Sequence, residues 1–510
     1  MSEQTNSLPA QTQYPTTNNQ DEWLAHWQKC GQPWRTEPEI DSSRQKDLAA
    51  YLTTKSDIVQ GIYAFKNIKL DRADIEWLLA THEHGRGPID WSDEQQHERE
   101  GLDLRGADLK QADLRNLPLA CMRGGLTWFP RNSELPEQLD IAGVHLEGAD
   151  LRGAHLEGAC LRGAFLEKAR LSRARIEKAD LSRAHLQGAI LRDVHLEGAT
   201  LVRTHLDGAI MSRSRLQGAN LQGAHLESAM LSESRLGGAL LRGTFFDEAT
   251  NLENILLNSR RFGSVSLAGV HWNGVDLSVV DWAQLKCLGE EREAQQPRGQ
   301  QGEEKDHAKH ISEYRLAARS NRQLALVLQE QGLYDVAVYF AYRARVMGRK
   351  VSWWEWLTPK RAQEFNTWGI ERQSGTNIQK SRVSALRSGL SKKLREYGIW
   401  IFQLTGYALS LIFDIVAGYG YRPERIVFIY LLTITGFATT YLILGHIVGP
   451  SLSPLGALVF SMTSFHGRGF FPGGIRLDDP ITVLAALEAV IGLVIEVSLI
   501  AAFTQRFFGK

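Results

Sequence analysis

Residues 481–503 form an apolar run whose only ionisable side chains are Glu488 and Glu496. With Gly492 between them they fall at i, i+4 and i+8, on one face of a helix. A carboxylate at membrane depth is costly and faces a cavity, an ion or a partner group. Just upstream runs SLSPLGALVFSMTSFHGRGFFPGG. Within it, Ser464, Phe465, His466, Gly467, Arg468, Gly469, Phe470 and Phe471 combine glycines with one full positive charge. Glycines let backbone carbonyls turn toward an ion, and a charge beside the path selects its sign. The chemistry these residues offer is ion coordination rather than bond making.

Histidines supply a second set. His145, His155, His185, His195, His205 and His225 each precede a leucine or stand at the same place in a repeat. A solvated ladder is the favoured reading; a metal stripe lacks mixed carboxylate ligands at the right offsets. His82, Glu83 and His84 are read as structural. No P-loop, GxSxG, zinc spacing or paired carboxylates in a cleft-forming context occurs, so no enzyme, cofactor or metal is expected. Cys30, Cys121, Cys160 and Cys287 are scattered without CxxC, which points to a reducing compartment.

The elements that must position the first set are membrane spans. Residues 426–447 hold no Asp, Glu, Lys or Arg, and each run is long enough for a hydrocarbon core of about 30 Å. Between the runs, Ser453 is an N-cap and Pro454 the first residue of a helix of about ten residues. Span, half-helix, Gly-rich turn, span keeps irregular backbone at membrane depth only where it lines a path. Lys380, Arg382, Arg387, Lys392, Lys393 and Arg395 precede the spans, and Arg506 and Lys510 follow them. Basic flanks on both sides predict an inner-membrane, multi-pass protein with both termini cytoplasmic. Residues 397–420 carry Asp414 and read as an interfacial helix, with a third span as the other reading. The mean hydropathy of −0.25 says that most of the chain is water-facing. Formal net charge is zero, which gives no argument for a nucleic-acid partner.

The middle of the chain repeats every five residues. From 146 to 246, twenty-one consecutive positions at that spacing are apolar, beginning Leu146, Leu151, Leu156 and Leu161. Two residues before each stands Ala149, Ala154 or Ala159, with Val194, Thr204 and Ser214 as variants. Neither helix nor strand periodicity gives five. A four-sided solenoid does: each quintet makes one side, and the leucine and alanine point inward. Residues 20 apart then stack, which predicts one column of His185, His205 and His225 and another of Arg175, His195, Arg215 and Arg235. Leu104, Leu109, Leu114 and Leu119 form an earlier block. After Phe246 one residue is inserted, and the period resumes at Leu252, Leu257, Phe262, Leu267, Trp272, Leu277 and Trp282. There the inner partners become Val265, Val270, Val275 and Val280.

The motif Ala-Asp/Asn-Leu at 107–109, 149–151, 179–181 and 219–221 resembles the pentapeptide-repeat family of bacterial proteins. That resemblance implies a right-handed quadrilateral β-helix. Some of its members mimic DNA with an acidic surface. Residues 146–246 hold 14 Lys and Arg against 11 Asp and Glu, which counts against mimicry. The C-terminal module resembles the two-span pore of potassium-type channels, with Phe460-Ser461 at that family's F-S and Ser464 at its threonine. The resemblance then puts residues 466–471 on the filter, Gly469 at its first glycine and Phe470 at its tyrosine. The filter threonine is missing, Phe471 replaces the second glycine, and Arg468 replaces valine.

These readings give a tail at 1–20, an N-terminal cap at 21–100 and the β-helix at 101–285. A linker (286–308), a tetratricopeptide-like helical hairpin (309–350) and a basic juxtamembrane linker (351–396) follow. The interfacial helix (397–420) and the two-span module (425–510) complete the chain. The expected function is a homotetrameric ion channel, not strictly potassium selective and leaning to anions if Arg468 lines the axis. If Arg468 points behind the filter, it pairs with an acid such as Glu488. Glu488, Gly492 and Glu496 are expected on the pore or its gate, with Gly492 a hinge or a packing glycine. Expected partners are membrane lipid, inorganic ions, further copies of the chain and a protein on the β-helix, with no nucleic acid. The alternative is a membrane-anchored scaffold that does not conduct.

Overall fold

The computed structural model describes residues 14–15, 19–126, 136–299, 302–357, 423–447, 452–467 and 480–508, with five helical positions between 406 and 414. The chain divides into two compact units, residues 1–292 and 293–510.

Parallel bridges build the solenoid of the first unit. His145 pairs with Phe165, Phe165 with His185 and His185 with His205, a constant step of 20 residues. Four quintets therefore close one coil. Rung bonds are short: Leu166 N–H donates to the His185 carbonyl at 2.7 Å, and His185 N–H donates to the Ala164 carbonyl at 2.9 Å. Inward leucines and alanines are buried throughout 146–246. Where a hydroxyl stands at the alanine position it reaches back a coil: Thr204 Oγ1 donates to the Leu181 carbonyl (2.8 Å) and Ser214 Oγ to that of Leu191 (3.0 Å). That bond is what makes a buried hydroxyl tolerable.

Two departures from a strict period are accommodated differently. Asp108 pairs with His145 and Arg123 with Cys160, a step of 37. The early leucine block is thus the coil beneath 144–163, and the 17 extra residues are looped out, with α4 (Pro136–Ala142) among them. At the other end, Met230 pairs with Asn251, then Leu240 with Ser266, so the step grows from 21 to 26. The added quintet forms a hairpin, β1 (Asn258–Ser259) against β2 (Gly263–Ser264). Phe262 therefore does not continue the inner row, as its place in the period predicts. It is exposed on the hairpin and lies over Gly218 and Gly238.

Both ends of the solenoid are covered. Before it come α1 (Gln20–Lys29), α2 (Ser42–Leu52) and α3 (Arg72–Gly85). The segment before α3 extends the first coil: Leu70 N–H donates to the Asp108 carbonyl and Asp108 N–H to that of Ile68, both at 2.9 Å. His82 leaves the helical conformation and its Nε2 sits 2.8 Å from the Glu100 carbonyl, a structural use of that histidine. Beyond the last coil, α5 (Gly289–Gln295) lies inside the segment expected as a linker. Its polar letters hid the reason: Glu290 and Glu291 are buried, and Glu290 Oε1 accepts the Ala268 N–H at 2.5 Å. The helix thereby satisfies an edge of the final coil.

The second unit holds α6 (His307–Glu330) and α7 (Tyr334–Leu357), joined through Gly332. Each has 24 residues, so the pair is longer than the expected 309–350 hairpin and than a 34-residue tetratricopeptide repeat. Asp414 pairs with Arg349 and accepts from the Tyr342 hydroxyl, at 2.5 and 2.9 Å. Most of 397–420 lies outside the described residues, as do nearly all of 351–396 and most of 1–20. Three further helices follow: α8 (Pro423–Ile447), α9 (Pro454–Phe465) and α10 (Pro480–Phe508).

Candidate functional site

The three C-terminal helices pack on one another. Two of them contain segments long and apolar enough to cross a membrane, Arg425–Ile447 and Pro480–Ile500, of which only 22% and 28% is buried. Their outward faces carry Phe428, Leu432, Ile443, Val483, Val490 and Leu493, all exposed. The core helix of a soluble domain hides such residues.

The short helix α9 begins as the residues predict. Ser453 is the N-cap, its Oγ accepts the Gly456 N–H at 3.0 Å, and Pro454 follows. Twelve residues give it about 18 Å, against about 37 Å for the 25 residues of α8. Contacts fix its course. Ala457 and Phe460 near its start pack with Tyr441, Ile481 and Ala485, at the adjoining ends of α8 and α10. Phe465 at its end packs with Ile426, Ile434 and Ile495, well along both long helices. So α9 starts near the connected ends and stops about midway along α10, while its contact cluster on α8 runs from Ile434 to Ile426 near that helix's start. Gly467 ends it at φ +66°, in the left-handed region where a side chain costs about 1 kcal/mol or more.

Polar groups tie the helices at two levels. Glu488 is fully buried on α10 and accepts from the Tyr441 hydroxyl (2.7 Å) and the Ser461 hydroxyl (2.5 Å). Ser461 also reaches the Ile434 carbonyl at 3.0 Å. Glu488 therefore ties α8, α9 and α10 together within one copy of the chain. A buried carboxylate in this position must be hydrogen-bonded, and both of its oxygens are. It is thus already partnered within the module. One level further, His466 Nδ1 pairs with Glu496, and its Nε2 lies 3.3 Å from the Tyr430 hydroxyl. His466 and Glu496 keep roughly two-fifths of their side chains exposed.

Gly492 lies under the end of α9. A Cβ built there overlaps the Phe465 carbonyl, and α10 runs through it unbroken. The close approach of Phe465 is one reason for glycine at this position. Ser464 and Phe465 are buried against the long helices. Arg468, Gly469, Phe470 and Phe471 lie outside the described residues.

On the solenoid the stacked columns form as the period predicts, and one is longer. His145, Phe165, His185, His205, His225, Phe245 and His271 stack with centroids 4.4–5.3 Å apart and planes within 12°. Burial and the neighbouring imidazoles of His185 and His225 hold His205 below the usual histidine range. The second column runs His155, Arg175, His195, Arg215, Arg235. Beside it Arg173, Arg213, Arg215 and Arg235 line a surface hollow of about 650 Å³. Arg173 and Arg213 occupy left-handed corner positions that Gly153 and Gly188 fill elsewhere.

One expectation is overturned by the coil geometry. Mixed ligands do occur at workable offsets, because a carboxylate two residues after a histidine and another 18 before it converge. Glu177, His195 and Glu197 form one such group and Asp207, His225 and Glu227 another, with ligand atoms within 4.8 Å.

Residues 138–247 match the family model described as pentapeptide repeats, in eight copies. Among solved structures, the chain is similar to HetL, a pentapeptide repeat protein involved in heterocyst differentiation regulation from a Nostoc cyanobacterium. That match is 20% identical, covers 41% of this chain and 93% of the other, and has a TM-score of 0.19. It is similar also to QnrB1, a plasmid-mediated fluoroquinolone resistance protein, at 16% identity over 38% and 94% with a TM-score of 0.18. A third is the pentapeptide repeat protein Rfr23 from a Cyanothece cyanobacterium, at 24% over 34% and 91% with a TM-score of 0.11. No curated protein matches the chain. The matched residues 138–247 lie in the solenoid of four quintets per coil.

Proposed function

We propose that the C-terminal module is the pore-forming part of an ion channel assembled from several copies of the chain, with the solenoid as its water-facing domain. The observation that carries this reading is the course of α9. It starts near the joined ends of two apolar helices and stops at Phe465, about midway along α10. A tether needs no half-helix braced by a buried carboxylate. A pore needs one, because irregular backbone at membrane depth must be held by protein. The partly negative C-terminus of α9 and the His466–Glu496 pair lie together at the end of the half-helix.

Among the described residues the module of one copy offers three helices, too few to enclose a path, so a homotetramer accompanies this reading. The filter-position sequence HGRGFF supports weak selectivity: a ring of Arg468 guanidiniums opposes cations, and a full charge outweighs a half-charge dipole. Liposomes holding the purified protein test the reading. Flux of K⁺, Na⁺ or Cl⁻ above protein-free liposomes is expected. Properly inserted protein that passes none of them leaves the anchored scaffold as the account.

A further inference from the structure

We propose that Asp207, His225 and Glu227 form a binding site for a divalent transition-metal ion of the zinc, cobalt or nickel class on the outer face of the solenoid. The three come from stacked coils: His225 lies directly above His205, and Asp207 follows His205 by two residues as Glu227 follows His225. Their ligand atoms fall within 4.8 Å of one another. His225 Nδ1 is 3.2 Å from Glu227 Oε1, and His205 Nδ1 is 3.8 Å from Asp207 Oδ2. Glu227 Oε2 is buried and makes no hydrogen bond among the described residues. A buried carboxylate oxygen without a donor is expensive, and a cation placed between these groups supplies what it lacks.

The ladder singles out this rung. Phe165 and Phe245 interrupt the column, and Gln187 takes the carboxylate position beside His185 and His205. Only at His225 does a carboxylate stand on both sides of an imidazole in this column. The related group in the other column differs in one respect. Glu177 has Arg175 Nε at 3.5 Å and Glu197 has Arg215 Nη1 at 3.9 Å, so guanidiniums already neutralise it. Among the described ion pairs, Asp207 and Glu227 have only histidines as partners. One imidazole and two carboxylates suit zinc-class ions, whereas calcium and magnesium prefer all-oxygen shells.

Phenylalanine already occupies this column, so His225→Phe keeps the ring stack and removes the nitrogen ligand. Full-length protein in detergent is titrated with Zn²⁺ by calorimetry and with Co²⁺ by visible absorption. The wild type should bind one equivalent that His225→Phe and the Asp207→Asn, Glu227→Gln double variant both lose, each with its circular dichroism and melting unchanged in metal-free buffer. Glu177→Gln with Glu197→Gln should keep it. Equal stoichiometry and affinity in wild type and His225→Phe overturns the proposal, as does loss of the equivalent only in the Glu177/Glu197 variant.

Discussion

Glu290 gives the sharpest handle on how the solenoid ends. Its carboxyl is almost wholly buried in α5, where it accepts the Ala268 N–H, beside the equally buried Glu291. Burial pushes its pKa up to about 7 from 4.5, backbone donors from Ala268 and Leu267 oppose the rise, and Glu291 adds to it. The folded pKa lies above the unfolded one, so the folded chain holds the proton more tightly between them. Stability from this group is complete below about pH 4.5 and is lost as pH rises through about 7. At about 1.4 kcal/mol per pH unit the full span is about 3 kcal/mol, and most of it falls between about pH 5 and about pH 8.5. Glu290→Gln keeps an acceptor for Ala268 and carries no charge. Hydrogen exchange of residues 263–295 in the full-length protein, corrected for intrinsic rates, reads the effect. In the wild type, protection should fall by about 2 to 3 kcal/mol over that window. The glutamine variant should show no such slope and should be the better protected at high pH. A flat wild-type profile, or a variant less protected than wild type at high pH, would refute the reasoning.

Three further outcomes follow from packing. Leu206→Ala empties a fully buried inner position and should cost about 2–5 kcal/mol of solenoid stability, read by the thermal loss of β-signal in circular dichroism. Glu488→Leu strands the Tyr441 hydroxyl and one bond of Ser461; at about 1–3 kcal/mol per unsatisfied group, the variant should dissociate or aggregate in detergent at a lower temperature. Gly492→Ala forces α9 from α10 at Phe465 and should cost about 1–3 kcal/mol of the module's stability, seen as a lower inactivation temperature by size-exclusion chromatography.

Much of the solenoid is readable from the chain, because a coil of four quintets turns a period of five into columns 20 apart. That arithmetic finds the His185, His205, His225 stack before any coordinates. It fails where the period is kept but the chain is not: Phe262 has the right spacing and sits on a hairpin instead. The same step of 20 stacks Glu227 on Asp207, but the ligand spacings of ordinary metal motifs lie within a few residues, so Asp207, 18 residues before His225, is not read as its partner from spacing alone. Glu290 and Glu291 look like linker residues because burial depends on what covers them. In the membrane-length module, Ser453-Pro454 and the apolar runs announce α9 and its neighbours. The role of Glu488 was not legible in the same way. Its spacing with Glu496 suggests one face, but the partners that claim it, Tyr441 and Ser461, lie 47 and 27 residues away.

Planar-bilayer recording of the purified full-length protein under a KCl gradient addresses the central claim most directly. The account predicts currents whose reversal potential lies clearly away from the potassium equilibrium potential, toward that of chloride. Bilayers that stay silent with verified insertion contradict a pore, and a reversal potential at the potassium value contradicts the part assigned to Arg468.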